Sequence, residues 1–131
     1  LLNFVMIPIQ SEQLHEQIER RFLQMVACGF VEEVRGLYRR EDLTNDLPAV
    51  RCVGYRQLWS FVSGETSFAE AVRRGITATR QLAKRQLTWM RGWEDLELVP
   101  VDDGKKLLPK EKIVDACLKT LSRTPISSIT D

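Results

Sequence analysis

Two short segments of this chain carry residue types that could do chemistry on a polyanion. The first is Arg51-Cys52-Val53-Gly54-Tyr55-Arg56, where two guanidinium groups and a phenol flank a glycine. The second is Thr79-Arg80-Gln81-Leu82-Ala83-Lys84-Arg85-Gln86-Leu87-Thr88-Trp89-Met90-Arg91, which interleaves cations, amides and an indole. Cations hold phosphates, amides donate and accept on base edges, and aromatic faces stack on bases. The combination suits an RNA strand without duplex structure.

The charge distribution agrees. The formal net charge is only +1. Residues 1–50 carry a net −3 and residues 94–131 a net −2, whereas residues 51–93 hold eight Lys/Arg against two Asp/Glu, a net +6. Cation gathered into one third of a near-neutral chain is the footprint of a polyanionic partner.

These residues must be positioned by a small scaffold. A chain of 131 residues suffices for one modest core. With 44% hydrophobic and 28% charged residues, it has the balance of a soluble globular protein. No apolar run approaches the roughly 20 residues of a membrane span. The opening Leu1 to Ile9 is too short for a secretory signal and lacks a basic flank. Its apolar character reads as a buried strand entered partway, so a longer parent protein is expected. Cys28, Cys52 and Cys117 match no zinc or redox spacing and read as reduced packing thiols of a cytoplasmic protein.

Helical and strand periods then order the chain. Phe4 to Ile7 reads as a strand stopped by Pro8. Ser11 caps a helix over Glu12 to Cys28, with Leu14, Ile18, Phe22, Met25 and Val26 inward and Gly29 as the left-handed residue after its end. A second helix covers Val31 to Arg39, with Val31, Val34 and Leu37/Tyr38 inward. After a polar loop, Pro48 opens a segment that passes Gly54 and continues helically to Phe61, closed by Gly64. Ser67-Phe68-Ala69-Glu70 has the spacing of a reciprocal capping box and opens the longest helix, Phe68 to Arg91, ended by Gly92. Glu97 to Val99 forms a further short strand. Pro109 starts a last helix to about Leu121, with Ile113, Val114, Cys117, Leu118 and Leu121 inward, and Ser122 to Asp131 is expected to fray. The fold class expected is mainly α, with one or two short strands.

At about 100° per residue, Phe68, Val72, Ile76, Thr79, Ala83, Leu87 and Met90 share the core side of the long helix. Arg73, Arg80, Lys84 and Arg91 fall in one stripe roughly 27 Å long, with Arg74 and Arg85 to one side. A solvated face is one account of such a stripe. Solvated faces normally mix signs, however, and the Arg80/Lys84 pair repels by about a few tenths of a kcal/mol with no evident structural return. Cations tracking a phosphate backbone would offset that cost through counterion release. Trp89 lies beside the stripe, as a stacking platform or a partly buried packing residue. Gly54 marks either a close approach of backbone or ligand, or a tight bend at a helix start.

These residues also carry a family likeness. Arg20-Arg21-Phe22 with Met25, Gly29, Glu33-Val34 and Leu37 is similar to a helix pattern of the tRNA dimethylallyltransferases, also called tRNA isopentenyltransferases. Leu47-Pro48 with Arg51 to Gln57 is similar to their glycine-tyrosine segment. Ala78 to Gln86, through Trp89 and Arg91, resembles their most specific stretch. The likeness covers about residues 4–93 and fades after Trp93, dividing the chain into 1–93, the C-terminal part of a catalytic core, and 94–131, a variable tail. Ser11-Glu12 departs from the family's Asp-Arg pair.

The resemblance implies a parent that moves a dimethylallyl group from dimethylallyl diphosphate to the exocyclic amine of the adenine 3′ of the anticodon. It implies a P-loop NTPase-like parallel sheet wrapped by helices, a flipped adenine, a magnesium ion and a monomeric state. The tRNA-binding residues it implies are Arg51, Cys52, Val53, Gly54, Tyr55 and Arg56, then Lys84, Arg85, Gln86, Leu87, Thr88, Trp89, Met90 and Arg91, with Arg73 and Arg80 as additional phosphate contacts. No catalytic residue or metal ligand is expected within this chain. Gly104-Lys105-Lys106 lacks the first glycine and the hydroxyl of a phosphate loop, and the diphosphate and metal sites are expected in an N-terminal half. Two other classes use the same surface: a non-catalytic helical RNA-binding module, and a helical bundle docking an acidic protein.

Overall fold

The structure is a computed structural model, and it describes residues 3–123. Among these, the elements run β1 (Asn3–Ile7), α1 (Ser11–Ala27), α2 (Phe30–Tyr38), α3 (Tyr55–Val62), α4 (Phe68–Arg91), β2 (Leu96–Pro100) and α5 (Lys110–Arg123). The mainly helical class with two short strands is as expected, and the element boundaries fall within one or two residues of the periodicity, the last helix ending at Arg123. Two compact units divide the chain. One comprises His15–Lys84; the other takes residues up to Leu14 together with those from Arg85 onward. Helices α1 and α4 contribute residues to both.

The core of the His15–Lys84 unit gathers Phe22, Phe30, Val34, Val50, Leu58, Trp59, Ala71 and Ile76. Aromatic edges tie it together. Phe30 meets Tyr55 at 5.0 Å and 82°, and Tyr38 meets Trp59 at 5.1 Å and 72°, both in the edge-to-face geometry the ring quadrupole favours. Gly29 has φ 104°, and this left-handed residue lets α1 end and α2 begin at once. Ser67 Oγ accepts the Glu70 N–H at 3.2 Å, which is the forward half of the expected capping box. The return half is replaced: the Glu70 carboxylate is taken by arginines of its own helix.

Several inward assignments need correction. Met25 and Tyr38 are exposed although their spacing places them on apolar faces, because the bundle covers only one side of α1 and α2. Phe68 is exposed at the start of α4, where its ring touches Phe61 at 5.4 Å. Cys28 and Cys52 are exposed and Cys117 half-buried, so the first two are surface thiols rather than packing groups.

In the other unit, β1 and β2 pair in parallel, with Asn3 opposite Leu96 and Ile7 opposite Pro100. A parallel pair needs a long crossover, supplied here by the intervening helical chain. The apolar residues of β1 do not all turn inward. The strand instead alternates: Phe4 and Met6 are exposed, Val5 is half-buried and Ile7 is 5% exposed. Leu2 lies outside the described residues, as does most of the Ser122 to Asp131 end. Asp102 is 2% exposed, and its carboxylate accepts the N–H of Ile9 at 3.0 Å and of Gly104 at 2.9 Å. Helix α5 packs on β2, but its covered side is Ile113, Ala116, Cys117 and Thr120. Val114, Leu118 and Leu121, expected inward, face outward.

Candidate nucleic-acid interface

The chain approaches α3 through a tightly wound turn. The Arg51 N–H donates to Leu47 O at 3.1 Å, and the Arg56 N–H to Cys52 O at 3.0 Å. Gly54 makes the bend at φ 93°, ψ −59°, and its N–H donates to Gln57 Oε1 at 2.8 Å. A Cβ at Gly54 would stand 3.2 Å from the Phe30 ring. Of the two accounts of this glycine, the bend at a helix start is realised, and what approaches closely is the protein's own core.

That bend sends the flanking side chains apart. Tyr55 turns to α2: its ring packs on Phe30 and its hydroxyl donates to Glu33. The hydrogen bond to this carboxylate, with burial, pushes the phenol pKa up. Arg51 and Arg56 are exposed and line a recess of about 390 Å³ with Asn45, Asp46, Val50, Trp59, Ser60 and Glu65. Neither arginine makes an ion pair among the described residues. The structure thus brings Arg51 and Arg56 together and leaves Tyr55 out of their recess. Val53 is half-buried, and the exposed Cys52 thiol donates to Pro48 O at 3.4 Å.

Along α4 the cations differ in their surroundings. Arg73 and Arg74 both grip Glu70, at 2.7 Å and 2.6 Å, and these hydrogen bonds, Arg73 first, hold the Glu70 carboxyl down to about 2. Arg80 binds Glu19 and donates to the His15 carbonyl, both on α1. The structural return that the Arg80/Lys84 spacing lacked is therefore present: Arg80 ties α4 to α1 within the same unit. Lys84 is exposed.

In the other unit, Arg85, Gln86, Thr88, Trp89 and Arg91 are all exposed, Leu87 is buried and Met90 half-buried. Trp89 is 67% exposed, so it is not a packing residue in this unit. Its ring meets Trp93 at 5.1 Å and 59°. Together the two indoles border an apolar recess with Asn3, Phe4, Val5, Met90 and Leu96.

Sequence reasoning missed Asn45, Asp46, Ser60 and Glu65 as recess residues, and Glu19 and Glu33 as partners of Arg80 and Tyr55. No local pattern marks Glu19 and Glu33, whose partners lie on other elements, and Ser60, one turn after Arg56 on α3, carries no charge that would single it out. Trp93 was the one with a signal, standing four residues after Trp89. Among the described residues no three His, Cys, Asp or Glu side chains are grouped to hold a metal. No helix among them is long and apolar enough to cross a membrane.

Comparison with known proteins gives this geometry a context. The full-length tRNA isopentenylpyrophosphate transferase of Bacillus halodurans superposes with a TM-score of 0.82 at 26% identity over 93% of this chain. The tRNA delta(2)-isopentenylpyrophosphate transferase of Staphylococcus epidermidis superposes at 0.73 with 22% identity over 95% of this chain, which speaks to the fold alone. This chain spans 38% of the length of each. The IPP transferase family model matches residues 1–93, the stretch that contains both cationic segments. By that match, this chain belongs to the IPP transferase family.

Proposed function

We propose that this chain is the tRNA-holding part of a tRNA prenyltransferase. In the whole protein, a dimethylallyl group passes from dimethylallyl diphosphate to the exocyclic amine of the adenine 3′ of the anticodon. The chemistry at the diphosphate, with its magnesium ion, belongs to residues outside this chain. The part played here is positioning, and the partner is an anticodon stem-loop.

The observation that carries this reading is the placement of Arg51 and Arg56. They come from the segment most like the family's glycine-tyrosine signature, and they stand exposed around one recess, neither held in an ion pair among the described residues. Lys84, Arg85 and Arg91 are further exposed cations of α4, and Trp89 on the same helix exposes its indole. An enzyme that modifies a base amine must draw that base out of its stack, which requires a grip on the flanking backbone. Arg73 and Arg80 contribute less to that grip, because carboxylates of the protein already hold them.

The test is binding of an anticodon stem-loop across a salt series, beside the same hairpin with its loop replaced. Arg51→Ala, Arg56→Ala, Lys84→Ala and Arg91→Ala should each weaken binding and reduce the salt slope by about 1. A slope unchanged in all four overturns the phosphate assignment. Equal affinity for both hairpins would assign loop selection to another part of the protein.

A further inference from the structure

The Arg51/Arg56 recess is not a simple anion site. A cavity built for phosphate alone would exclude carboxylates, yet Asp46 and Glu65 line it beside Asn45 and Ser60. Elsewhere among the described residues five arginines pair with a nearby carboxylate: Arg35 with Glu32, Arg40 with Asp42, Arg73 and Arg74 with Glu70, Arg80 with Glu19. Around this recess, neither arginine pairs with either acid among the described residues. Its occupant must offer negative charge to the guanidinium groups and hydrogen-bond donors to the carboxylates.

The lining narrows the choice. Its one aromatic residue, Trp59, is 5% exposed and held edge-on by Tyr38, so the recess has no open ring face on which a base could stack. The volume, about 390 Å³, lies near the lower end of the roughly 300–1,000 Å³ typical of small-ligand pockets. A sugar-phosphate unit suits both features. Its phosphate meets arginine, and its one donor, the ribose 2′-hydroxyl, meets a carboxylate. That hydroxyl is the group by which a protein tells RNA from DNA.

We propose that the recess takes one ribonucleotide backbone unit, with Asp46 and Glu65 as specificity-determining residues, one of which accepts the hydrogen bond of its 2′-hydroxyl. This rests on the reading of Arg51 and Arg56 as RNA contacts. Each carboxylate repels phosphate, so the pair lowers affinity for nucleic acid in general and restores it for a strand carrying the hydroxyl.

The experiment uses the intact protein and anticodon hairpins bearing a single 2′-deoxy substitution at each loop position in turn. For the unmodified protein, one position should lose roughly tenfold in affinity, the scale of a hydrogen bond to a charged acceptor. In the Asp46→Asn/Glu65→Gln double variant, whose amide oxygens still accept but carry no charge, that loss should shrink to about threefold, while affinity for an all-deoxy hairpin rises. Both side chains are exposed, and an unchanged circular dichroism spectrum and melting temperature confirm the variant's fold. The inference is overturned if no loop position is sensitive to deoxy substitution, or if the sensitivity is the same in the double variant. The reading of the face as an RNA contact fails separately, if Arg51→Ala and Arg56→Ala leave hairpin affinity and salt slope unchanged.

Discussion

The ring of Phe22 occupies the space that any side chain on residue 75 would need: a Cβ built on Gly75 would fall 2.3 Å from Phe22 Cζ. Helices α1 and α4 approach this closely only because position 75 has no side chain. Gly75→Ala should therefore destabilise the protein. Helix propensity would gain about 1 kcal/mol, but overpacking against a buried ring costs about 1–3 kcal/mol. The expected net loss is roughly 1 kcal/mol, read from the midpoint of urea unfolding. Combining it with Phe22→Leu should recover part of the loss, since the two residues share one space. A midpoint raised by Gly75→Ala would contradict the packing account.

Arg80 and Glu19 join α4 to α1 across 61 positions of sequence. Both are partly exposed, so the pair should contribute about 0.5–1 kcal/mol after solvent screening. A double-mutant cycle of Arg80→Ala with Glu19→Gln should show coupling of that size in the unfolding free energy. Zero coupling would mean that Arg80 does not anchor α1, and its use as a phosphate contact would regain weight.

Asp102 is the buried carboxylate that ends the sheet, holding the N–H groups of Ile9 and Gly104. Asp102→Ala leaves both donors without an acceptor and should cost about 2–3 kcal/mol. Asp102→Asn keeps the volume and one acceptor, so its loss should be nearer 1 kcal/mol. Amide exchange at Ile9 and Gly104 is the direct readout, and equal protection in all three proteins would rule the role out.

The Glu70 carboxyl, held down to about 2 by Arg73 and Arg74, makes a pH prediction. A carboxyl whose folded pKa is depressed contributes stability that is present above its unfolded value and lost as pH falls through the folded one. The first turn of α4 should accordingly hold its protection above about pH 4.5 and lose it as pH drops toward 2. Carbon-detected titration of Glu70 checks this: a midpoint near 4.5 would show that the two arginines do not hold it in solution.

Much of the scaffold was legible without coordinates because its causes are local. Ser67 at a cap, Gly29 between two helices, Gly92 after Arg91 and the 3.6-residue period of α4 act within a turn or two of themselves. The parallel partnership of β1 and β2 was not legible, because strands so far apart in the chain, with Asn3 opposite Leu96, leave no pattern naming one another. The inner face of α5 was misread for a related reason. Its apolar residues are spread widely enough to offer two stripes, and only packing on β2 selects Ile113, Ala116 and Cys117 over Val114, Leu118 and Leu121.

The candidate site divides along the same line. By itself the sequence determined that cations cluster between residues 51 and 93 and which family the segments resemble, since residue type and spacing are properties of the chain. Only the tertiary structure decided which cations remain available. Arg73 and Arg74 are held by a carboxylate on their own helix and Arg80 by one on another. Tyr55 is drawn inward to Glu33, while Arg51 and Arg56 are left around a recess whose acids come from separate loops. Charge neutralisation depends on distances of a few ångströms between residues remote in sequence, and those distances exist only once the helices have packed.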